Sequence, residues 1–386
     1  MLQITYDSVA AGAPDQYGSA TDTLRAASGA PLQDFPKATP GAPAPSQDLK
    51  DAVAAWIGQR GANRDPVVVM VHGYLFDPRQ GSDTQQASPL ESAYGVPGPT
   101  IAHNLSWLPL TGERGDDGAM LAENAVGFCY RSESAHSEYA FAGWENSYQY
   151  AVFDQSPLAA RALATVLTAL GEHPVSLRIL AHSLGTRTTT QAIGLLGDAA
   201  PNNLDRIVLL DGAEFCVDAA ANYADCAFDV FNFVNGIDKV LALGADQFSH
   251  PVRQTGTAGA RVIGRDGVGG NPRWLDLALD NDDLIAWFQA GNAPTGGPFR
   301  INPQHEEESH VSAFLEHWSC YTNDGNRALI RALLSDDAMT VAAFNARAVP
   351  SRVDSVMFGR FSGQAIPKTP QSMADRTAMF GRDAAV

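Results

Sequence analysis

The sequence predicts an α/β fold in which helices cover a mostly parallel central sheet. Short runs rich in Val, Ile and Leu alternate with segments of helical periodicity. These runs are apolar throughout, which is typical of parallel strands buried on both faces. Polar residues that could carry chemistry follow several of the runs directly, at the strand ends where such sheets bind ligands. The predicted strands are residues 67–71, 125–130, 177–181, 207–210, 228–234 and 274–279.

Helices are predicted between and beyond these strands. In the best-marked helix, Ser156 is the predicted cap, Pro157 suits the first turn and Gly171 can end the helix. Other helices are predicted from Ser46, from the end of strand 177–181 to about Leu196, and over residues 325–334.

The chain of 386 residues divides into three predicted parts. Residues 1–45 are rich in Ala, Gly, Pro and Ser and are interpreted as an irregular N-terminal arm. Residues 46–340 form the α/β domain, and residues 341–386 are a C-terminal extension. Residues 75–122 lack periodicity, which is typical of a functional insert. They are a candidate lid, with Trp107, Leu108 and Leu110 as its apolar face, or additional core.

Composition limits the classes of partner. The net charge is −17 and no run of Lys and Arg is present, so binding to nucleic acid or to an anionic membrane surface is not expected. No apolar stretch reaches the ~20 residues of a membrane span, and no signal peptide is visible. A cytoplasmic protein is the default expectation, with secretion left open. The oligomeric state is not predicted. Cys216 and Cys226 could bridge a loop or remain free thiols.

The segment Ala181-His182-Ser183-Leu184-Gly185 is the strongest candidate for chemistry. It joins a buried strand to a helix, and small residues at both flanks of Ser183 suit a tight, strained turn. Such a turn exposes the serine hydroxyl as a nucleophile. The simpler interpretation is an ordinary strand-to-helix turn that Ser183 caps.

A nucleophilic serine needs a base, an acid that orients the base, and donors for an oxyanion. Asp238 follows a strand and lies 55 residues beyond Ser183, and we favour it as the acid over Asp211, although it could merely cap a helix. His317 lies just before the last predicted helix, and we favour it as the base over His310, which lies in an acidic stretch.

The oxyanion donors are predicted to be the backbone N–H groups of Tyr74 and Leu184. Gly73 would let the loop after the strand at residues 67–71 approach the substrate closely. The predicted substrate-binding residues are His72, Gly73, His182 and Trp107.

In these residues the chain resembles the α/β-hydrolase family of serine esterases and lipases, over roughly residues 48–335. The resemblance rests on Val-Val-Val-Met-Val-His-Gly-Tyr, Leu-Ala-His-Ser-Leu-Gly, Asn-Gly-Ile-Asp-Lys-Val-Leu and Glu-His-Trp-Ser-Cys-Tyr. It implies an α/β-hydrolase fold with Ser183 as nucleophile, Asp238 as acid and His317 as base, in the chain order of that family. Ala181 departs from the family's usual Gly.

The implied activity is hydrolysis of carboxylic esters through an acyl-serine intermediate, on a small-molecule or lipid-like ester that could carry an apolar acyl chain. Acyl transfer, thioester cleavage and peptide hydrolysis would use the same triad, and a non-catalytic binding protein of this fold is the alternative from another class. No cofactor is expected. No metal is expected either, because H-E-x-x-H and zinc-type spacings are absent.

Overall fold

The computed structural model describes residues 1–7, 21–36, 41–74, 76, 93–94, 106–111, 122–132, 151–238, 240–241, 261–304, 317 and 319–350. These residues form an α/β structure around one sheet, as the sequence predicts. No helix among them is long and apolar enough to cross a membrane.

Nine described strands form the sheet, in the order β3-β2-β1-β5-β4-β6-β7-β8-β9. All neighbouring strands from β1 to β9 in that order pair in parallel, and β2 alone runs against the rest. The strands are β1 (Leu2–Asp7), β2 (Thr21–Ala26), β3 (Pro31–Pro36), β4 (Val67–Val71), β5 (Ala125–Tyr130), β6 (Leu177–His182), β7 (Leu204–Leu210), β8 (Asp229–Val234) and β9 (Trp274–Ala278).

The described helices flank this sheet. They are α1 (Gln47–Gln59), α2 (Ser156–Gly171), α3 (Leu184–Leu196), α4 (Cys216–Asn222), α5 (Ile263–Asp266), α6 (Asp282–Gln289), α7 (Ser319–Thr322), α8 (Asp324–Ser335) and α9 (Val341–Ala346). Ser46 caps α1 by accepting the Leu49 N–H at 3.2 Å, which agrees with the predicted helix start.

Each face of the sheet has its own apolar core. In β4, Val67, Val69 and Val71 belong to the core that includes α1, α2 and α3, whereas Val68 and Met70 belong to the core that includes α6, α8 and α9. Successive side chains of a strand point to opposite faces, so a run with both faces covered must be apolar at every position. This explains the continuous apolar runs from which the sheet was predicted.

The prediction that residues 1–45 form an irregular arm is wrong, because three strands of the sheet lie there. Ile4, Tyr6 and Leu24 are buried, and the Tyr6 hydroxyl donates to the buried Asp22 carboxylate at 2.7 Å. Pro31 and Pro36 bound β3, an edge strand, which is a place in a sheet where proline is tolerated.

The described part of the predicted insert is core. Trp107, Leu108 and Leu110 are at most 1% exposed, so they do not form the exposed apolar face of a lid. Two arginines of α8 fasten this segment by donating to backbone carbonyls, Arg327 to Ser106 and Arg331 to Pro109, both at 2.9 Å. These residues therefore belong to the core of the α/β domain. Most of the remainder of 75–122 lies outside the described residues.

Three smaller predictions are resolved by the structure. Ser156 is the first residue of α2 and not its cap; a π-helical turn, Ala151–Gln155, precedes it, and its hydroxyl bonds Thr188 of α3 at 2.7 Å. The proposed C-terminal extension begins as α9, in which Phe344 packs against Phe231 of β8, so at least this helix belongs to the domain. Residues 351–386 lie outside the described residues. Cys216 and Cys226 are free thiols.

Candidate active site

The site lies where the strand order reverses. From β4 the chain passes to β5 on one side and then to β6 on the other, so the loops after β4 and β6 diverge at the carboxyl ends of two neighbouring strands. In open parallel sheets such a divergence is the common place for a ligand site. Gly73 and Tyr74 follow β4 there, and Ser183 follows β6.

Ser183 is held in a strained turn. Its backbone has φ 53° and ψ −123°, a conformation that residues with a side chain rarely adopt. A Cβ on Gly185 would lie 2.3 Å from the Val71 carbonyl oxygen, and a Cβ on Gly73 would lie 2.9 Å from the Ser183 Cβ. Only glycine therefore allows the end of β4 to pass so closely beneath the turn.

The structure brings Ser183, His317 and Asp238 into one hydrogen-bonded chain. His317 Nδ1 lies 2.6 Å from Asp238 Oδ2, and His317 Nε2 lies 2.8 Å from Ser183 Oγ. A carboxylate only accepts, so Nδ1 carries the proton and Nε2 is free to accept the serine hydroxyl hydrogen. All three residues are at most 5% exposed, which removes most competing water from this chain. His310 lies outside the described residues.

Asp238 has two partners. Its Oδ2 faces His317, and its Oδ1 accepts the Leu241 N–H at 3.0 Å in the manner of a helix cap. The capping interpretation of the sequence and the triad interpretation are therefore compatible, because one carboxylate has an oxygen for each. The cap fixes the rotamer that presents the other oxygen to His317.

Leu184 directly follows Ser183, and Tyr74 follows Gly73, which lies against the Ser183 turn. Leu184 opens α3, and the first N–H groups of a helix have no acceptor within the helix. The Tyr74 side chain packs beside Leu184, together with Ala151 and Val152. The backbone at both predicted donor positions thus lies beside the nucleophile turn.

His72 supports the loop of Gly73 and is not placed to contact substrate. The side chain is fully buried and stacks on Tyr130, with ring centroids 4.5 Å apart. Its Nε2 accepts the Tyr130 N–H at 3.1 Å, so its Nδ1 carries the proton and donates to the Gly73 carbonyl at 2.9 Å. These two hydrogen bonds fix the backbone just before Tyr74. The prediction that His72 contacts the substrate is therefore wrong.

His182 likewise holds the base and not the substrate. Its Nε2–H donates to the backbone carbonyl of His317 at 3.0 Å, and its ring lies between those of Trp107 and Tyr321. Burial lowers the pKa of His182 well below its usual value, and the nearby His317 lowers it further. His182 is therefore neutral at pH 7. Trp107, only 1% exposed, supports this ring and is not open to a substrate.

Asp211, the rejected candidate for the acid, also lies at the site. It follows β7 with φ 41° and is fully buried. Side-chain oxygen or nitrogen atoms of Asp211, His182 and His317 lie within 4.8 Å of one another. Such groups can hold metal ions, but both ring nitrogens of His317 are already bonded to Asp238 and Ser183, so a metal would have to displace those contacts.

Sequence reasoning missed the supporting residues of the site. The roles of Tyr130 and Tyr321 depend on ring contacts between residues distant in sequence, and their local patterns contain no signal for them. Asp211 did carry a signal, because it ends a predicted strand at the same edge of the sheet as Ser183 and Asp238.

No protein-family model, curated protein or solved structure matches this chain.

Proposed function

We propose that this protein is a serine hydrolase of the α/β-hydrolase fold that cleaves carboxylic esters through an acyl-serine intermediate. The single observation that carries the proposal is the chain of hydrogen bonds from Asp238 through His317 to Ser183, with distances of 2.6 and 2.8 Å. The 2.8 Å contact is within the range for proton transfer from a nucleophile to its base, and the 2.6 Å contact is a hydrogen bond that orients the base.

In the acylation step, the Ser183 Oγ attacks the ester carbonyl carbon while its proton moves to His317 Nε2. The imidazolium that forms is stabilised by the Asp238 carboxylate, which holds Nδ1–H throughout. The tetrahedral intermediate collapses when His317 returns the proton to the leaving alkoxide, so the alcohol departs and an ester to Ser183 remains. His182 holds the backbone of His317 during both transfers.

The negative oxygen of the intermediate requires donors that are already in place. The backbone N–H groups of Leu184 and Tyr74 are the proposed donors, because Leu184 directly follows Ser183 and Tyr74 follows Gly73, which lies against the Ser183 turn. Loss of one such donor typically costs about 3 to 4 kcal/mol of transition-state stabilisation. Backbone donors suit this role because they are fixed by α3 and by the loop that His72 supports.

In the deacylation step, water takes the place of the alcohol. His317 removes a proton from the water, hydroxide adds to the acyl carbon, and the carboxylic acid leaves as Ser183 recovers its proton. A thioester or an amide as substrate would form the same acyl-enzyme, and an alcohol in place of water could accept the acyl group from it. A panel of ester, thioester and peptide substrates, with and without an added alcohol, separates these reactions.

Labelling with a fluorophosphonate tests the nucleophile. We expect intact-mass spectrometry to show one adduct on folded wild type, no adduct on Ser183→Ala, and one adduct on the control Ser28→Ala, which changes an exposed serine in the turn between β2 and β3. His317→Ala should slow labelling strongly, because the hydroxyl loses its base. A folded wild type that takes up no label, or an adduct that persists in Ser183→Ala, would contradict the proposal.

A further inference from the structure

A second carboxyl group lies beside the triad, and the proposed mechanism does not use it. Asp211 is fully buried at the end of β7, within 4.8 Å of nitrogen atoms of both His182 and His317. It is also close enough to Asp238 for their charges to interact. Two buried carboxyl groups at one histidine raise the question of which of them carries the negative charge.

The two carboxyl groups have different partners. Asp238 accepts two N–H groups, from His317 and from the Leu241 backbone. Among the described residues, neither oxygen of Asp211 has a partner with regular hydrogen-bond geometry, and the Cys320 thiol, which interacts with it, donates only weakly. A buried carboxylate needs donors to be stable, so Asp238 is the better site for the charge.

No cation faces Asp211 among the residues whose interactions are described. The groups around it are His182 at the end of β6, Asp238 after β8, His317, and Cys320 and Tyr321 on α7. Burial, and then the charge of Asp238, raise the pKa of Asp211 well above its usual value. Burial raises the pKa of Tyr321 and of Cys320 as well, so both are neutral at pH 7.

The backbone fixes Asp211 in this place. The positive φ is unfavourable for a residue with a side chain, and it persists because Asp211 and Gly212 pack closely against α5. Gly264 of α5 lies so close that a Cβ there would be 2.8 Å from the Asp211 Cα, and the Gly264 N–H donates to the Gly212 carbonyl at 2.9 Å. A carboxyl group that merely capped the strand end would accept backbone N–H groups, and no described residue donates one to it.

We propose that Asp211 is a positioning residue that keeps its proton, so that a single negative charge, on Asp238, lies beside His317. This inference rests on the proposed function. A second negative charge beside His317 would stabilise its imidazolium form and so weaken the base that Ser183 needs.

The proposal of a single negative charge at the site can be tested with double variants. Asp238→Ala removes one carboxylate, and without that neighbouring charge Asp211 can ionise and stabilise the imidazolium. We expect Asp211→Asn, which is neutral like the protonated acid, to lower kcat/KM at least about tenfold more in the Asp238→Ala background than in wild type. Equal factors in both backgrounds would overturn the proposal, because a merely structural role gives the same loss in each.

Infrared spectroscopy tests the proton itself and needs no substrate. The wild type minus Asp211→Asn difference spectrum at pH 7 should contain the carbonyl band of a protonated carboxylic acid. Carboxylate bands in its place would overturn the proposal. Glu214→Gln is the matched control, since it removes a different buried carboxyl group, with a pKa of about 7. The carboxyl bands in its difference spectrum should change with a midpoint near pH 7, whereas those in the Asp211→Asn difference spectrum should not change there.

A test of folding and a replacement variant keep the outcomes separate. Thermal unfolding shows whether each variant is folded, and Asp211→Ser replaces Asp211→Asn if the amide prevents folding. If wild type hydrolyses no ester, the proposed function fails while the infrared result still decides the protonation of Asp211. If ester hydrolysis depends on Ser183 and the infrared spectrum shows a carboxylate at Asp211, only the present inference fails.

Discussion

The two ends of the central sheet both bury charged side chains, but they neutralise charge differently. At the amino ends of the strands, Arg178 is fully buried and pairs with Asp205 at 3.0 Å and also with Asp337. At the carboxyl ends, Asp211 and Asp238 are buried, and neither pairs with Lys or Arg among the described residues. Paired charges hold a structure together, whereas carboxyl groups that face a histidine can exchange or orient protons. Burial of charge alone therefore does not identify a site.

The largest effect is expected at the carboxyl end. His317→Ala removes the base, and we expect kcat/KM for a short-chain ester to fall by about 10⁵-fold. Because nucleophile and base act as one unit, adding Ser183→Ala should cost little more. Steady-state kinetics of the two single variants and the double variant measure this, and multiplicative losses would show that the residues act separately.

Gly185→Ala should strongly destabilise the fold, although it adds only one methyl group. The added Cβ would lie 2.3 Å from the Val71 carbonyl oxygen, a backbone atom of the central strand that cannot move alone. We expect a loss of about 3 kcal/mol or more in unfolding free energy, measured by chemical denaturation.

The control for that change is Gly58→Ala within α1, where a Cβ would meet no atom within 4 Å. It should stabilise the protein by about 0.5 to 1 kcal/mol. If the two variants unfolded alike, the close contact between β4 and the nucleophile turn would be refuted.

Arg178→Ala distinguishes the amino end from the carboxyl end. The change removes a fully buried side chain and its bonds to Asp205 and Asp337, which are themselves partly or largely exposed. We expect unfolding free energy to fall by about 2 to 3 kcal/mol, with kcat/KM unchanged at a temperature where the variant is folded. A large loss of activity in the folded variant would remove the distinction between the two ends.

Glu214 predicts a dependence of stability on pH. It is buried beside Arg187 at 2.5 Å, yet burial outweighs that charge and raises the pKa of Glu214 to about 7. The folded protein then keeps a proton that the unfolded chain releases, so this group stabilises the fold at low pH and loses that contribution as pH rises. Between pH 5 and pH 7, wild type should lose about 2 kcal/mol relative to Glu214→Gln. Parallel curves in urea titrations at both pH values would contradict this.

The sequence predicts the central sheet well because burial on both faces leaves a continuous apolar run, as in β4 and β7. It fails at β1 to β3, where polar residues interrupt the apolar positions and where Pro31 and Pro36 bound an edge strand. Ser183 and Asp238 were predicted because they follow strands whose carboxyl ends meet at one edge, and His317 was predicted because it lies just before the last predicted helix. The supporting roles of His72 and His182 were not predicted, because ring stacking and hydrogen bonds to backbone carbonyls leave no local sequence pattern.

The most direct test of the Asp238–His317–Ser183 chain is hydrolysis of a chromogenic short-chain ester, measured for wild type and for Ser183→Ala purified side by side. We predict turnover by wild type and a loss of at least about 10⁴-fold in kcat/KM for the variant, with an unchanged unfolding midpoint. A folded Ser183→Ala protein that retains a tenth or more of the wild-type rate would contradict the account.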